Sequence, residues 1–69
     1  MSAMDEILDA WTMYRPNVIW ASSTTIQRVF EPKTRGRIRF NDSEVVEDNS
    51  VPDGILEFSP NGRVVLEDF

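Results

Sequence analysis

Apolar residues spaced three and four positions apart predict an amphipathic helix over residues 2–14. Ser2 is the expected N-cap, and Arg15-Pro16 is expected to end the helix because a residue before proline is pushed out of the helical region. We expect the apolar stripe to cover a sheet, with docking on a partner as the alternative. The stripe consists of Met4, Ile7, Leu8, Trp11 and Tyr14.

The short apolar run at residues 17–21, NVIWA, predicts a buried strand or an extended entry into the core. Its largest side chain is that of Trp20. A buried indole removes on the order of 200 Å² from water, so Trp20 is expected to contribute strongly to the core.

Residues 22–30, SSTTIQRVF, fit two different periodicities. A period of two places Ile26, Arg28 and Phe30 on one face of a strand. A period of 3.6 places Ile26, Val29 and Phe30 on one face of a helix, with the serine at 22 or 23 as its N-cap. The β-branched threonines favour the strand, but both structures remain open.

A helix in that segment would change the functional expectation. A helix followed by a basic hairpin resembles the recognition helix and wing of a small winged-helix module. The resemblance implies nucleic-acid binding through residues 24–39, and it is the alternative to the function stated below.

Alternation at residues 37–40 predicts a strand that separates basic from apolar side chains, after a loop at residues 31–36. Ile38 and Phe40 are expected on the apolar face. Successive side chains on one face of a strand are about 6.6 Å apart, so the opposite face would carry a row of cations. This row consists of Arg35, Arg37 and Arg39.

Turn-forming residues divide the C-terminal part into short elements. Residues 41–43 form a break, and residues 44–48 are either a strand or a single helical turn. Residues 49–54 form a second turn.

The clearest pattern is a hairpin with strands at 55–58 and 63–67 around Ser59-Pro60-Asn61-Gly62, a type I turn with glycine at the left-handed position. The predicted register pairs Phe58 with Val64, and Leu56 with Leu66, on the core face. The second face is expected to meet solvent or an interface. It consists of Ile55, Glu57, Val65 and Glu67.

Together these elements predict an α+β domain. One N-terminal amphipathic helix packs on a small antiparallel sheet of four to five short strands that ends in a β-hairpin. The 69 residues are enough for a single domain, residues 1–69.

Charge is unevenly distributed along this domain. The chain has 12 acidic and 7 basic residues and a net charge of −5. Such asymmetry often marks a binding surface, and we expect the basic cluster to contact a partner, with the polar hairpin face (Glu57, Val65 and Glu67) second. The cluster holds five of the seven basic residues: Arg28, Lys33, Arg35, Arg37 and Arg39.

The basic cluster has three interpretations. Its arginines could pair within the chain with Glu44, Glu57 or Glu67, as opposite charges do across a sheet. They could instead bind carboxylates of a protein partner or the phosphates of nucleic acid. The acidic composition disfavours phosphate backbones, so a protein partner ranks above nucleic acid.

The residue inventory argues against an enzyme. The chain has no His and no Cys, which removes Ser-His and Cys-His nucleophile pairs, disulfides and the usual zinc ligands. Its three glycines all fit turns rather than a phosphate-binding loop. We expect no catalytic activity, no metal and no cofactor.

The first residues do not resemble a signal peptide, and no apolar run reaches the roughly 18 residues of a membrane span. The expected protein is soluble, cytoplasmic and not bound to membranes. It would regulate, inhibit or assemble with a larger macromolecule, and self-association is left open.

Overall fold

The computed structural model describes residues 3–30, 38–67 and 69. Two helices and five strands are present in these ranges, which confirms the predicted α+β class, the N-terminal helix and the terminal hairpin. In chain order the elements are α1 (Ala3–Tyr14), β1 (Val18–Ala21), α2 (Ser23–Val29), β2 (Ile38–Phe40), β3 (Ser43–Glu47), β4 (Ile55–Ser59) and β5 (Arg63–Val65).

The strands form one sheet in the order β2-β3-β1-β4-β5, with β1 in the centre. Three of its pairs are antiparallel, whereas β1 and β3 are parallel and align Val18 with Glu44. The parallel pair arises because the chain leaves β1 through α2 and returns at the sheet edge as β2. The β2–β3 hairpin then inserts β3 beside β1 in the same direction.

Residues 23–29 are helical, so the preference for a strand in this segment was wrong. Ser22 has an extended backbone and caps α2, since its Oγ accepts a hydrogen bond from Thr25 N at 3.2 Å. Thr25 is fully buried, and its hydroxyl oxygen accepts a hydrogen bond from Gly54 N at 3.0 Å. The threonine that favoured a strand from sequence is therefore satisfied by the cap and by the loop before β4.

The core lies between the two helices and one face of the sheet. Every buried strand residue in it belongs to the same alternation, so α1 and α2 cover the same face. The core consists of Ile7, Ile19, Ala21, Ile26, Val45, Leu56, Phe58, Val64 and Leu66.

The stripe predicted for α1 needs correction. Ile7 is fully buried and Trp11 is half-buried, but Met4, Leu8 and Tyr14 are exposed. Ala3 and Ala10 pack against the core in place of Met4 and Leu8, whereas Tyr14 still contacts Phe58, so the inward face keeps only part of the predicted stripe. The expected N-cap, Ser2, lies outside the described residues, and the helix ends before Arg15-Pro16 as predicted.

A buried serine joins α1 to the sheet. Ser43 is fully buried at the start of β3, and its Oγ accepts a hydrogen bond from Trp11 Nε1 at 2.8 Å. The same hydroxyl donates to the carbonyl oxygen of Pro16. These two bonds hold the end of α1, the entry to β1 and the start of β3 together.

The C-terminal hairpin pairs Ile55 with Val65 and Glu57 with Arg63, two positions away from the predicted register. A shift of two leaves every side chain on its predicted face, so the four predicted core residues are all buried. The turn lies where it was predicted and Gly62 has the expected positive φ, but Phe58 N donates to Gly62 O, which closes a shorter loop over residues 59–61 than the predicted register requires. Tyr14 packs against this loop, with its ring centroid 6.1 Å from that of Phe58.

Candidate functional site

The sheet has a second face, which neither α1 nor α2 covers, and we call it the outer face. Side chains alternate between the two faces along each strand, so the residues between the core positions face outward. Trp20 stands on the central strand in the middle of this face. The outer face consists of Val18, Trp20, Arg39, Glu44, Val46, Ile55, Glu57, Ser59, Arg63 and Val65.

The structure corrects the prediction that Trp20 belongs to the core. Its side chain is 36% exposed, whereas its neighbours Ile19 and Ala21 are fully buried. Those two residues occupy the core positions of β1, so the alternation of the strand turns Trp20 outward. Val46 of β3 lies beside it on one side and Glu57 of β4 on the other.

A concavity of about 480 Å³ opens on the outer face beside Trp20, and we call it the Trp20 pocket. One wall comes from the sheet and the other from the loop at residues 48–54. Val51 in this loop is buried, although it lies outside the core cluster. The pocket is lined by Trp20, Asp48, Ser50, Val51, Pro52, Glu57 and Arg63.

Hydrogen bonds hold the loop of the Trp20 pocket in place. Asp48 N donates to Ala21 O at 2.8 Å, which extends the parallel ladder beyond β3. Ser22 Oγ donates to Asp53 Oδ1 at 2.6 Å, and Ser23 N donates to Asn49 Oδ1 at 2.9 Å. The pocket wall is therefore tied both to the sheet and to the start of α2.

Three charged side chains line the pocket. Arg63 Nε lies 3.2 Å from Glu57 Oε1 in an exposed cross-strand ion pair, a kind that contributes at most about 1 kcal/mol. Asp48 Oδ1 accepts hydrogen bonds from Ser50 Oγ at 2.6 Å and from Ser50 N at 3.0 Å. These side-chain and backbone bonds lower the pKa of Asp48 below its usual value, so this carboxylate is negatively charged at neutral pH.

The two described members of the predicted basic cluster, Arg28 and Arg39, lie on opposite sides of the sheet. Arg39 projects from the outer face of edge strand β2, where its Nη2 donates to Asp42 O at 3.3 Å. Arg28 lies on α2 in the covering layer, where it donates to Phe69 O at 3.1 Å and lies 4.5 Å from the centre of the Phe69 ring. Lys33, Arg35 and Arg37 lie outside the described residues.

The carboxylates proposed for internal pairing are also separated. Glu44 is the register neighbour of Arg39 across the β2–β3 pair. Glu57 pairs with Arg63 instead, and β4 lies three strand spacings, roughly 14 Å, from β2. Glu67 follows the opposite edge strand, and its N–H donates to Glu6 Oε1 at 3.3 Å. Only Glu44 of the three is adjacent to Arg39.

The helix that the winged-helix resemblance requires is present as α2. Its basic residue Arg28 contacts the C-terminal Phe69. The rings of Phe30 and Phe40 pack edge to face, 5.8 Å apart, against the core. These two aromatic residues are therefore not placed to stack on bases.

The sequence pattern missed Trp20 as a surface residue, together with the pocket residues Asp48 and Pro52. In a run of four apolar residues, alternation alone does not show which pair faces the core. The turn at residues 49–54 was predicted, but its position over the outer face depends on contacts distant in sequence.

No helix in the part of the chain that the structure describes is long and apolar enough to cross a membrane. Among the same residues, no three acidic side chains lie close enough together to hold a metal ion. Comparison with protein-family models, with curated proteins and with solved structures gave no match for this chain.

Proposed function

We propose that this chain is a non-enzymatic binding protein that docks on a larger protein through the outer face, and so regulates, inhibits or assembles with it. The proposal rests on one observation: Trp20 is exposed on the central strand of the sheet. It lies on the face that neither helix covers. Tryptophan is among the residues most enriched at binding hot spots.

The distribution of side chains on the outer face supports a protein interface. Trp20 lies between Val46 and Glu57 on the neighbouring strands, so apolar and charged side chains are interspersed around it, and protein interfaces combine the same two kinds of side chain. The apolar residues are Val18, Val46, Ile55 and Val65. The charged residues are Arg39, Glu44, Glu57 and Arg63.

The dimensions of the face set an expectation for affinity. Five strands at a spacing of about 4.8 Å span roughly 20 Å. A standard interface buries about 800 Å² on each partner, so a face of this width corresponds to the small end of specific interfaces. We therefore expect a transient rather than a permanent complex.

The chemistry of the pocket supports a binding role rather than catalysis. A carboxylic acid that acts as a general acid near neutral pH needs a raised pKa, whereas the pKa of Asp48 is lowered. Glu57, the other carboxylate in the pocket, is already paired with Arg63.

Nucleic acid is the second candidate partner. Trp20, Arg39 and Arg63 share the outer face, and an exposed aromatic ring beside cations is typical of single-stranded nucleic-acid sites. Glu44 and Glu57 adjoin these same arginines, however, and would repel phosphates. We rank this candidate below a protein partner.

The proposal is tested by capture from an extract of the cells that produce this protein. Wild type is compared with Trp20→Ser and with Leu8→Ser, a control that removes an apolar side chain 46% exposed on α1. We expect proteins that bind wild type and Leu8→Ser equally but bind Trp20→Ser at least tenfold less. Circular dichroism checks that both variants are folded.

Two results would overturn the proposal. One is that no protein distinguishes wild type from Trp20→Ser. The other is a salt-sensitive gel shift with single-stranded RNA or DNA that Trp20→Ser abolishes while no protein is captured, which would favour the nucleic-acid candidate.

A further inference from the structure

We propose that the Trp20 pocket binds an arginine side chain of the protein partner. This inference rests on the proposed function, since it specifies what the outer face recognises. It assigns to the partner a basic segment, in which one guanidinium lies against Trp20 and near the pocket carboxylates.

The aromatic wall supplies the first part of the argument. Trp20 is partly exposed and lines the concavity, so its ring surface is accessible to a ligand. Tryptophan is the best aromatic partner for a cation, and a guanidinium can also stack on it as a planar group. The neighbouring wall contains Val51 and Pro52, which offer apolar contact to the methylene stem of an arginine.

Two carboxylates on the pocket walls supply the second part. Glu57 is the register neighbour of Trp20 on β4, and Asp48 comes from the loop that follows β3. Asp48, like any aspartate, is ionised at neutral pH, and its two hydrogen bonds from Ser50 hold the carboxylate in position. A cation in the pocket would therefore meet fixed negative charge as well as the aromatic ring.

The third part is the behaviour of Arg63. Its guanidinium already lies 3.2 Å from Glu57, which shows that this carboxylate is placed to accept one. Both side chains are exposed, so their pair is weak and a partner's arginine can replace or extend it. Arg63 is thus a competitor within the chain, and removing it should strengthen the binding of a basic ligand.

Net charge and rigidity complete the argument. The protein has a net charge of −5, and Arg63 is the one basic residue among residues 41–69. Such a charge favours approach to a basic partner. The loop hydrogen bonds to Ser22 and Ser23 hold the pocket wall in place, so little ordering is needed on binding.

The test uses nuclear magnetic resonance, because the indole N–H groups of Trp11 and Trp20 give separate signals. The probe is an acetylated, amidated pentapeptide with a central arginine between glycines. Its control is the same peptide with citrulline, which keeps the shape and removes the charge. We expect a shift of the Trp20 signal with millimolar affinity, no shift of Trp11, and about tenfold weaker binding of the citrulline peptide.

Variants separate the pocket charges from the net charge. Asp48→Asn keeps an oxygen that can accept from Ser50 and should weaken arginine-peptide binding about threefold to tenfold, whereas Asp42→Asn, outside the pocket, should leave it unchanged. Arg63→Met should strengthen binding, and Trp20→Leu should abolish it. Equal binding of both peptides, or weaker binding by Arg63→Met, would overturn the inference.

The capture experiment distinguishes failure of this inference from failure of the proposed function. If Trp20→Ser loses its partner but Asp48→Asn and Glu57→Gln bind it as wild type does, the outer face is the interface and the arginine pocket is wrong. If Trp20→Ser binds the same proteins as wild type, both proposals fall.

Discussion

Replacing Ser43 with alanine tests the connection that holds the helix layer to the sheet. Ser43 is fully buried, and its hydroxyl accepts from Trp11 Nε1 at 2.8 Å and donates to the carbonyl oxygen of Pro16. The substitution removes both bonds and leaves a buried carbonyl and a partly buried indole N–H without these partners. Each such loss costs about 1–3 kcal/mol, with the partly buried indole at the low end, so we expect a destabilisation of about 2–4 kcal/mol.

That loss is large for a domain of this size. Proteins of this length have a free energy of unfolding of roughly 3–10 kcal/mol, at about 0.05–0.15 kcal/mol per residue. In a domain of 60–100 residues, 1 kcal/mol shifts the midpoint of thermal unfolding by about 4–8 °C. The Ser43→Ala variant should therefore melt at least about 10 °C below wild type.

A thermodynamic cycle separates the Trp11 bond from the rest of the effect. Unfolding in urea is measured for Ser43→Ala, Trp11→Phe and the double variant, with Ser59→Ala on the outer face as a control. We expect a coupling energy of about 1 kcal/mol between Ser43 and Trp11 and less than about 0.5 kcal/mol for the control. A destabilisation by Ser43→Ala no larger than that of Ser59→Ala would refute the reasoning.

Four further substitutions test local features. Gly62→Ala should lower the free energy of unfolding in urea by about 1–3 kcal/mol. Gly62 has a φ of +136°, and a new Cβ would lie 3.0 Å from Tyr14 Cγ. An unchanged free energy of unfolding would contradict this packing. Thr25→Val should cost a similar amount, about 1–3 kcal/mol, because a buried backbone N–H loses its acceptor; unchanged thermal stability would contradict it. Ser50→Ala should raise the carboxyl pKa of Asp48 toward the usual value of an aspartate in a carbon-detected titration, because the larger of the two hydrogen-bond effects is lost. The folded-state pKa of Asp48 is lower than its unfolded-state pKa. Its contribution to stability is therefore present above the unfolded pKa and is lost as the pH falls through the folded pKa. Asp48→Asn should thus destabilise the protein more at pH 7 than in acid.

Local patterns were enough to predict much of this fold. Proline ends the N-terminal helix at Arg15-Pro16, and glycine marks the hairpin turn at Gly62. Both elements are present in the structure. The register of that hairpin was missed because Phe58 N bonds to Gly62 O, so that Gly62 pairs with Phe58 instead of lying within the turn. The side chains of the hairpin still lie on their predicted faces, because a register shift of two residues preserves the alternation.

The candidate site was harder to predict because it depends on tertiary structure. Whether Trp20 faces the core or solvent is decided by which of two alternating pairs packs under the helices. The helical state of residues 23–29 depends on the cap at Ser22 and on the bond from Gly54 to Thr25. The basic cluster was visible in the sequence, but the division of Arg28 and Arg39 between the two sides of the sheet was not.

The most direct test of the outer face is a footprint of the captured partner on this protein. Amide and indole spectra are recorded with and without the partner, and the perturbed positions are mapped. We expect the largest changes at Val18, Trp20, Val46 and Glu57, with little change on the exposed side of α1. Changes concentrated at Leu8 and Met13 of α1, with the outer face undisturbed, would contradict the account.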